Sequence, residues 1–348
     1  MAEPAQDRLP WLVEPLARTL ATRTAHALLV HGPRGVGQFE LALALARAWL
    51  CENSAVALPA RPCETCASCR LAHARSHPDL LVLVPAAMRE SLGWFGPGEG
   101  EEGGDASKKK PSKEIRIDAV RAAIEFATTT SARGRGKVVV VHPAERLNPV
   151  AANAFLKTLE EPVGDARFVL CSADADSLLP TLRSRCQVVP LGIPPQAEAE
   201  GWLAQQGVET PGVLLAACGG QPDEVLAWRA LGIDAAAWRA LPGRVGRGEA
   251  GALHGWPLGL VVDVLQKLCH DAAAASCGVP PRYFPADSIE TPGGDLPRLL
   301  AWAAELRRVA RHAEHPWTLD LSVESLVQQG REALKTARLS RRREAASG

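Results

Sequence analysis

The amino-acid sequence predicts an α/β domain with a mainly parallel sheet, followed by an all-helical half. Three observations carry that expectation. Short apolar runs at 27–31, 80–84, 137–141, 167–171 and 187–189 have the length of strands buried on both faces, and helical periodicity separates them. The first run feeds a glycine-rich turn that opens a helix, the order a phosphate-binding loop requires. After Pro190 the strand signal stops, and Ala-, Leu- and Trp-rich sequence punctuated by Gly and Pro takes over.

Taken in order, residues 11–20 form a short amphipathic pattern, and Ala27-Leu28-Leu29-Val30-His31 is a buried strand. Residues 40–50 repeat Leu and Ala at helical spacing. Residues 93–114, where Glu99, Glu101, Glu102 and Asp105 give way to Lys108, Lys109, Lys110 and Lys113, are expected as a mobile surface insertion. Its lysine run is either a solvated charge cluster or a patch that touches DNA. The stretch from Leu147 to Pro162 is a bounded helix: Asn148 can cap it, Pro149 suits its first turn and Pro162 stops it. Leu147, Ala151, Ala154, Phe155, Thr158 and Leu159 supply its packing face, with Lys157 and the Glu pair on the wet side. The domain partition that follows is 1–193 for the α/β domain, 194–241 for a small helical unit, 242–339 for a second helical domain and 340–348 for a flexible tail.

A chain of 348 residues with 47% hydrophobic side chains can bury a real core. Thirty-nine basic residues balance thirty-nine acidic ones, so no global field draws the chain onto DNA or anionic lipid. The first ten residues lack an apolar signal core and no run of about eighteen apolar residues occurs, which makes the cytoplasm the default compartment. Of nine cysteines, four crowd between Cys51 and Cys69, while Cys171, Cys186, Cys218, Cys269 and Cys277 lie among apolar neighbours as ordinary buried thiols. That distribution suits a metal site better than a disulfide framework.

The glycine loop runs His31-Gly32-Pro33-Arg34-Gly35-Val36-Gly37-Gln38-Phe39. Gly32, Gly35 and Gly37 keep the spacing of a phosphate loop, but Gln38 and Phe39 stand where a hydrolase needs Lys and then Ser or Thr. A neutral amide cannot neutralise β- and γ-phosphates, and a phenyl ring cannot ligate Mg²⁺. The alternative is a turn with no phosphate ancestry, although the flanking strand and helix favour a phosphate-loop shape. A second departure agrees: Val138-Val139-Val140-Val141 is followed by His142, with Glu145 displaced three residues beyond, where a hydrolase places acids that hold Mg²⁺.

Cys51-x11-Cys63-x2-Cys66-x2-Cys69 has the spacing of a four-thiolate tetrahedral site, for which structural zinc is the favoured ion and an iron–sulfur cluster or redox thiols are the alternatives. His73 and His77 are nearby, but four cysteines already complete a tetrahedron. Arg183-Ser184-Arg185-Cys186 precedes the last strand, and a rigid guanidinium fork there suits either contact with a neighbouring subunit's γ-phosphate or a structural salt bridge.

These motifs, together with His77-Pro78-Asp79 and the run Asn153 to Pro162, resemble the clamp-loader group of the AAA+ proteins in the bacterial DNA polymerase III system, over nearly the whole chain. The resemblance implies an AAA+ P-loop-type domain with a parallel sheet, a small helical lid and a C-terminal all-α collar that assembles a five-membered ring. It also implies that a chain with Gln38 and Phe39 is a member without ATP turnover, whose Arg185 serves a neighbour's ATP, whose Cys51, Cys63, Cys66 and Cys69 hold Zn²⁺, and whose collar begins after residue 242. The implied partners are the gamma and tau motor subunits and a delta subunit and, indirectly, the beta sliding clamp and primer–template DNA, within a DNA polymerase holoenzyme and away from membranes. An ATP-hydrolysing motor and a zinc-dependent DNA-binding module are the competing functions.

Overall fold

The computed structural model describes residues 9–22, 25–94, 111–289, 294–311 and 319–335. Most of the expected insertion at 93–114, including Lys108 to Lys110, and the expected tail at 340–348 lie outside them. The chain divides into two compact units, one up to Glu198 and one from Ala199 onward.

The first unit contains α1 (Val13–Thr22), β1 (Ala27–His31), α2 (Gln38–Leu50), α3 (Ala67–His73), β2 (Leu80–Leu83), α4 (Ala86–Leu92), α5 (Ile117–Thr128), β3 (Lys137–Val141), α6 (Pro149–Glu160), β4 (Ala166–Ser172), α7 (Pro180–Arg183) and β5 (Gln187–Pro190). All five strands are parallel, in the order β2-β3-β4-β1-β5. Leu28 pairs with both Val169 and Gln187, so β1 is an interior strand beside the edge strand β5, and the glycine loop leaves from between β4 and β5. The strands are apolar on both faces because helices cover both. On one face Leu29, Val139, Phe168 and Leu170 pack with Val120, Phe155 and Leu159 of α5 and α6. Phe155 meets Phe168 edge-on, ring centroids 5.3 Å apart.

Helix α6 has the expected bounds. The Asn148 side chain accepts from the Ala151 N–H, Pro149 is the first helical residue, and the helix ends two residues before Pro162. Its buried face is Ala151, Ala152, Phe155 and Leu159; Ala152 joins it, whereas Thr158 is only half-buried.

The second unit is helical: α8 (Gln196–Gln205, across the division), α9 (Pro211–Ala217), α10 (Pro222–Ala230), α11 (Ala235–Arg247), α12 (Leu258–Ser276), α13 (Leu296–Ala310) and α14 (Leu319–Leu334). The expected boundary between residues 241 and 242 falls inside α11, and the division observed lies after Glu198 rather than after residue 193. Pro242 removes a backbone donor from the helix interior, yet Trp238, Leu241, Pro242 and Val245 form one buried face, and that packing keeps the helix continuous. Buried Asp271 accepts hydrogen bonds from the backbone N–H groups of Arg282, Tyr283 and Phe284, fixing the chain after α12. Stacking of Phe284 on Trp238 at 4.1 Å completes that corner. Cys171, Cys186, Cys218 and Cys269 are buried thiols as expected, but Cys277 is exposed because it follows the last turn of α12. No helix among the described residues is long and apolar enough to cross a membrane.

Candidate functional site

The glycine loop connects the C-terminal end of β1 to the first residue of α2. A Cβ at Gly32 would sit 1.9 Å from the Leu191 carbonyl oxygen, so the residue entering the loop must lack a side chain. Gly37 has φ +100° and packs under Leu9 and Leu12, while Gly35 has φ 72°. Trp11 Nε1 donates to the Val36 carbonyl at 2.9 Å and ties the N-terminal segment to the loop. The loop is thus a tight, glycine-dependent turn from β1 into α2.

The Gln38 side chain, 6% exposed, turns back and donates from Nε2 to the carbonyls of Gly32 (2.7 Å) and Pro33 (2.5 Å). Phe39 stacks on His142, ring centroids 4.5 Å apart and planes 22° from parallel. Phe39 in the first turn of α2 and His142 just after β3 thus pack directly against each other. Burial pulls the His142 pKa down to about 4, so the imidazole is neutral near pH 7. Glu145, the displaced acid, accepts from the Ala173 N–H at 3.3 Å, at the end of β4.

Cys51, Cys63, Cys66 and Cys69 converge, with their sulfurs all within 4.8 Å of one another. The pairs Cys51–Cys66 and Cys63–Cys69 are 4.0 Å apart, close to the ~3.8 Å expected between thiolates on a tetrahedral zinc. Backbone N–H groups of Cys66 and Cys69 point at the sulfurs of Cys63 and Cys66, which favours thiolates. Burial pushes the Cys63 thiol up, but hydrogen bonds from Thr65 and Cys66 outweigh it and bring the pKa to about 6. Burial raises Cys51 and Cys69, whose deprotonation a cation would have to drive. The donor set fits a closed structural metal site; among the described residues no histidine joins it.

His73 and His77 have other work. His73 contacts Arg47 and Glu64. His77 is buried: Nδ1 accepts from the Asp79 N–H, which leaves the Nε2 proton to donate to Ser68 Oγ at 3.0 Å. Burial pushes Asp79 up, yet hydrogen bonds from the Ala132 and Arg133 N–H groups, the Ser131 hydroxyl and Lys137 Nζ hold it below the ordinary carboxylate range. Arg133 also donates to Glu52 and to Ser68. The cysteine insertion is keyed through these bonds to the edge of the sheet formed by β2 and β3.

Arg185 lies between α7 and β5, next to buried Cys186. Its guanidinium forms an ion pair with Glu160, the last residue of α6, and donates from Nη1 to the Thr181 carbonyl at 2.7 Å. The Arg side chain stays 27% exposed.

A family model described as DNA polymerase III, delta subunit, matches residues 10–194. The chain is 31% identical over 287 residues to the DNA polymerase III subunit delta′ of Escherichia coli, covering 76% of this chain and 78% of that one. It belongs to the DNA polymerase III delta-prime family. It is also 37% identical over 202 residues to the delta′ subunit of Pseudomonas aeruginosa, covering 57% of this chain and 54% of the relative. With Haemophilus influenzae delta′ the identity is 35%, over 60% and 56%. The match thus spans about half the length of these last two relatives. Among solved structures, a gamma-subunit-related protein from Thermotoga maritima aligns with 93% of this chain at 18% identity and a TM-score of 0.49.

The parallel α/β domain and the helical half read from the sequence thus belong to a delta-prime family chain. The four cysteines and the loop residues come together where their spacing placed them. Two contacts had no sequence signal: the Phe39–His142 stack and the Glu160–Arg185 pair each join residues far apart in the chain. Asp79 carried a faint one, as the acid of the His77-Pro78-Asp79 run just before β2.

Proposed function

We propose that the chain is a clamp-loader subunit without ATP turnover, keeping the form of a nucleotide-binding domain and offering Arg185 to a neighbouring motor subunit's ATP. The observation that carries this reading is the interlock at the glycine loop: Gln38 bound to the loop's own carbonyls and Phe39 stacked on a neutral His142. Gln38, Phe39 and His142 supply neither the lysine ammonium nor the Mg²⁺ ligands that a hydrolase has at these positions, and action in trans is the chemistry this reading leaves to the chain. Partly exposed Arg185, in the turn after a short helix and held by the core through Leu182 and Cys186, is the group offered to act there. By the family resemblance, the partners are the gamma and tau motor subunits and a delta subunit, with the beta clamp and primed DNA engaged through them, in the cytoplasm. Cys51, Cys63, Cys66 and Cys69 would hold a zinc ion, which supplies a structural crosslink and no open coordination position.

The test is Arg185→Ala in the reconstituted clamp loader. DNA- and clamp-stimulated ATPase should fall by ~10³-fold or more at the site it serves, with folding and assembly intact. Undiminished turnover excludes the role, and robust hydrolysis by the purified chain alone excludes the non-hydrolysing reading.

A further inference from the structure

Glu160 and Arg185 stand on different elements, and each is fixed by a core residue beside it. Leu159 precedes Glu160 and is fully buried; Cys186 follows Arg185 and is 8% exposed; both belong to one apolar cluster with Leu178 and Leu182. The carboxylate at the end of α6 and the Thr181 carbonyl in α7 therefore form a rigid two-point cradle for the guanidinium. Of its five N–H donors, one on each Nη is engaged and the Nε donor is buried without a partner. Two Nη hydrogens remain, enough for two phosphoryl oxygens.

We propose that Glu160 is the positioning residue for Arg185, holding its guanidinium in the attitude needed to meet a phosphoryl group of an adjacent subunit. This inference rests on the reading of Arg185 as a residue that acts in trans. A flexible arginine would sample many rotamers and lose most of its contribution, since small displacements of a catalytic group cost rate steeply. A half-exposed carboxylate is suited to the task, because a pair at the surface orients its partner at modest energetic cost and leaves it available to a phosphate.

The experiment uses the reconstituted clamp loader with the other ATP sites disabled by substitution of their phosphate-loop lysines, so that only the site served by Arg185 turns over. Glu160→Gln is expected to lower kcat at that site by about 10- to 10²-fold with KM unchanged, because the loss is felt in the transition state. Glu160→Asp, which keeps a carboxylate, should recover part of the rate. The double variant Glu160→Gln/Arg185→Ala should be no slower than Arg185→Ala alone, since one residue acts through the other. Melting temperature and assembly serve as controls for all three. Unchanged or faster turnover in Glu160→Gln, or additive losses in the double variant, overturns the positioning role and leaves Arg185 in place. An inert Arg185→Ala is the separate outcome that removes the in-trans reading, and this inference with it.

Discussion

Phe39 and His142 form a stacked pair of rings beside the glycine loop, and the pair has a pH signature. The imidazole ionises near pH 4 in the folded protein and near 6.5 when unfolded, because burial penalises its charged form. Between those values the unfolded chain binds the extra proton, so His142's neutral-state contribution is intact above about pH 6.5 and is lost as the pH falls toward 4. His142→Phe keeps a ring against Phe39 and removes the titration. Its stability, followed by denaturant unfolding, should therefore decline less steeply between pH 6.5 and 4.5 than that of the parent chain. The double substitution Gln38→Lys/Phe39→Thr should still give no ATP turnover in a purified-chain assay, because no acid stands at position 142. At this scale the glycine turn after β1 was legible in the sequence, since a position such as Gly32, pressed against the Leu191 carbonyl, admits no side chain. The stack was not legible, because nothing local links Phe39 to a residue at the end of another strand.

Elements bounded by local chemistry were read with their limits nearly right, and α6 is the clearest case. Its cap, its first-turn proline and its terminating proline all act within a few residues of where they stand. Asn148→Ala should cost about 1 kcal/mol by denaturant unfolding, the usual loss of an N-cap. Helix α11 shows the opposite: Pro242 marks a break locally, but a buried face from Trp238 to Val245 holds the helix together, and no window of sequence weighs those two effects. The Asp79 cluster was equally hidden, because its partners arrive from the segment after α5 and from β3. Asp79→Ala leaves Lys137 buried without its counter-charge and several donors unpaired. A loss of about 3–5 kcal/mol is expected, with Lys137→Met in the same background recovering part of it.

For the whole molecule, the converging cysteines predict a peripheral metal staple, and removing a bound ion tests how far it reaches. Purified protein should carry about one equivalent of zinc by elemental analysis. Chelation should lower the melting temperature of the first unit by about 5 °C or more, since each kcal/mol lost shifts a domain of this size by roughly 2–4 °C. Arg133→Ala should weaken the coupling between insertion and sheet, making the melting temperature less sensitive to chelation. The existence of the α/β half and the helical half was plain in the sequence, because burial on two faces and burial on one stripe leave different periodicities. The point of division was not, since α8 runs across it.

On the reading proposed above, the interlock of Gln38, Phe39 and His142 also constrains the history open to this chain. A lone lysine at position 38 would set a full charge in the buried space where a neutral amide now meets two loop carbonyls, and a lone aspartate at 142 would set a charge against a phenyl ring. On that reading each single step costs folding energy and yields no turnover to be selected, and the three side chains act as a ratchet in sequence space, against piecemeal reversion.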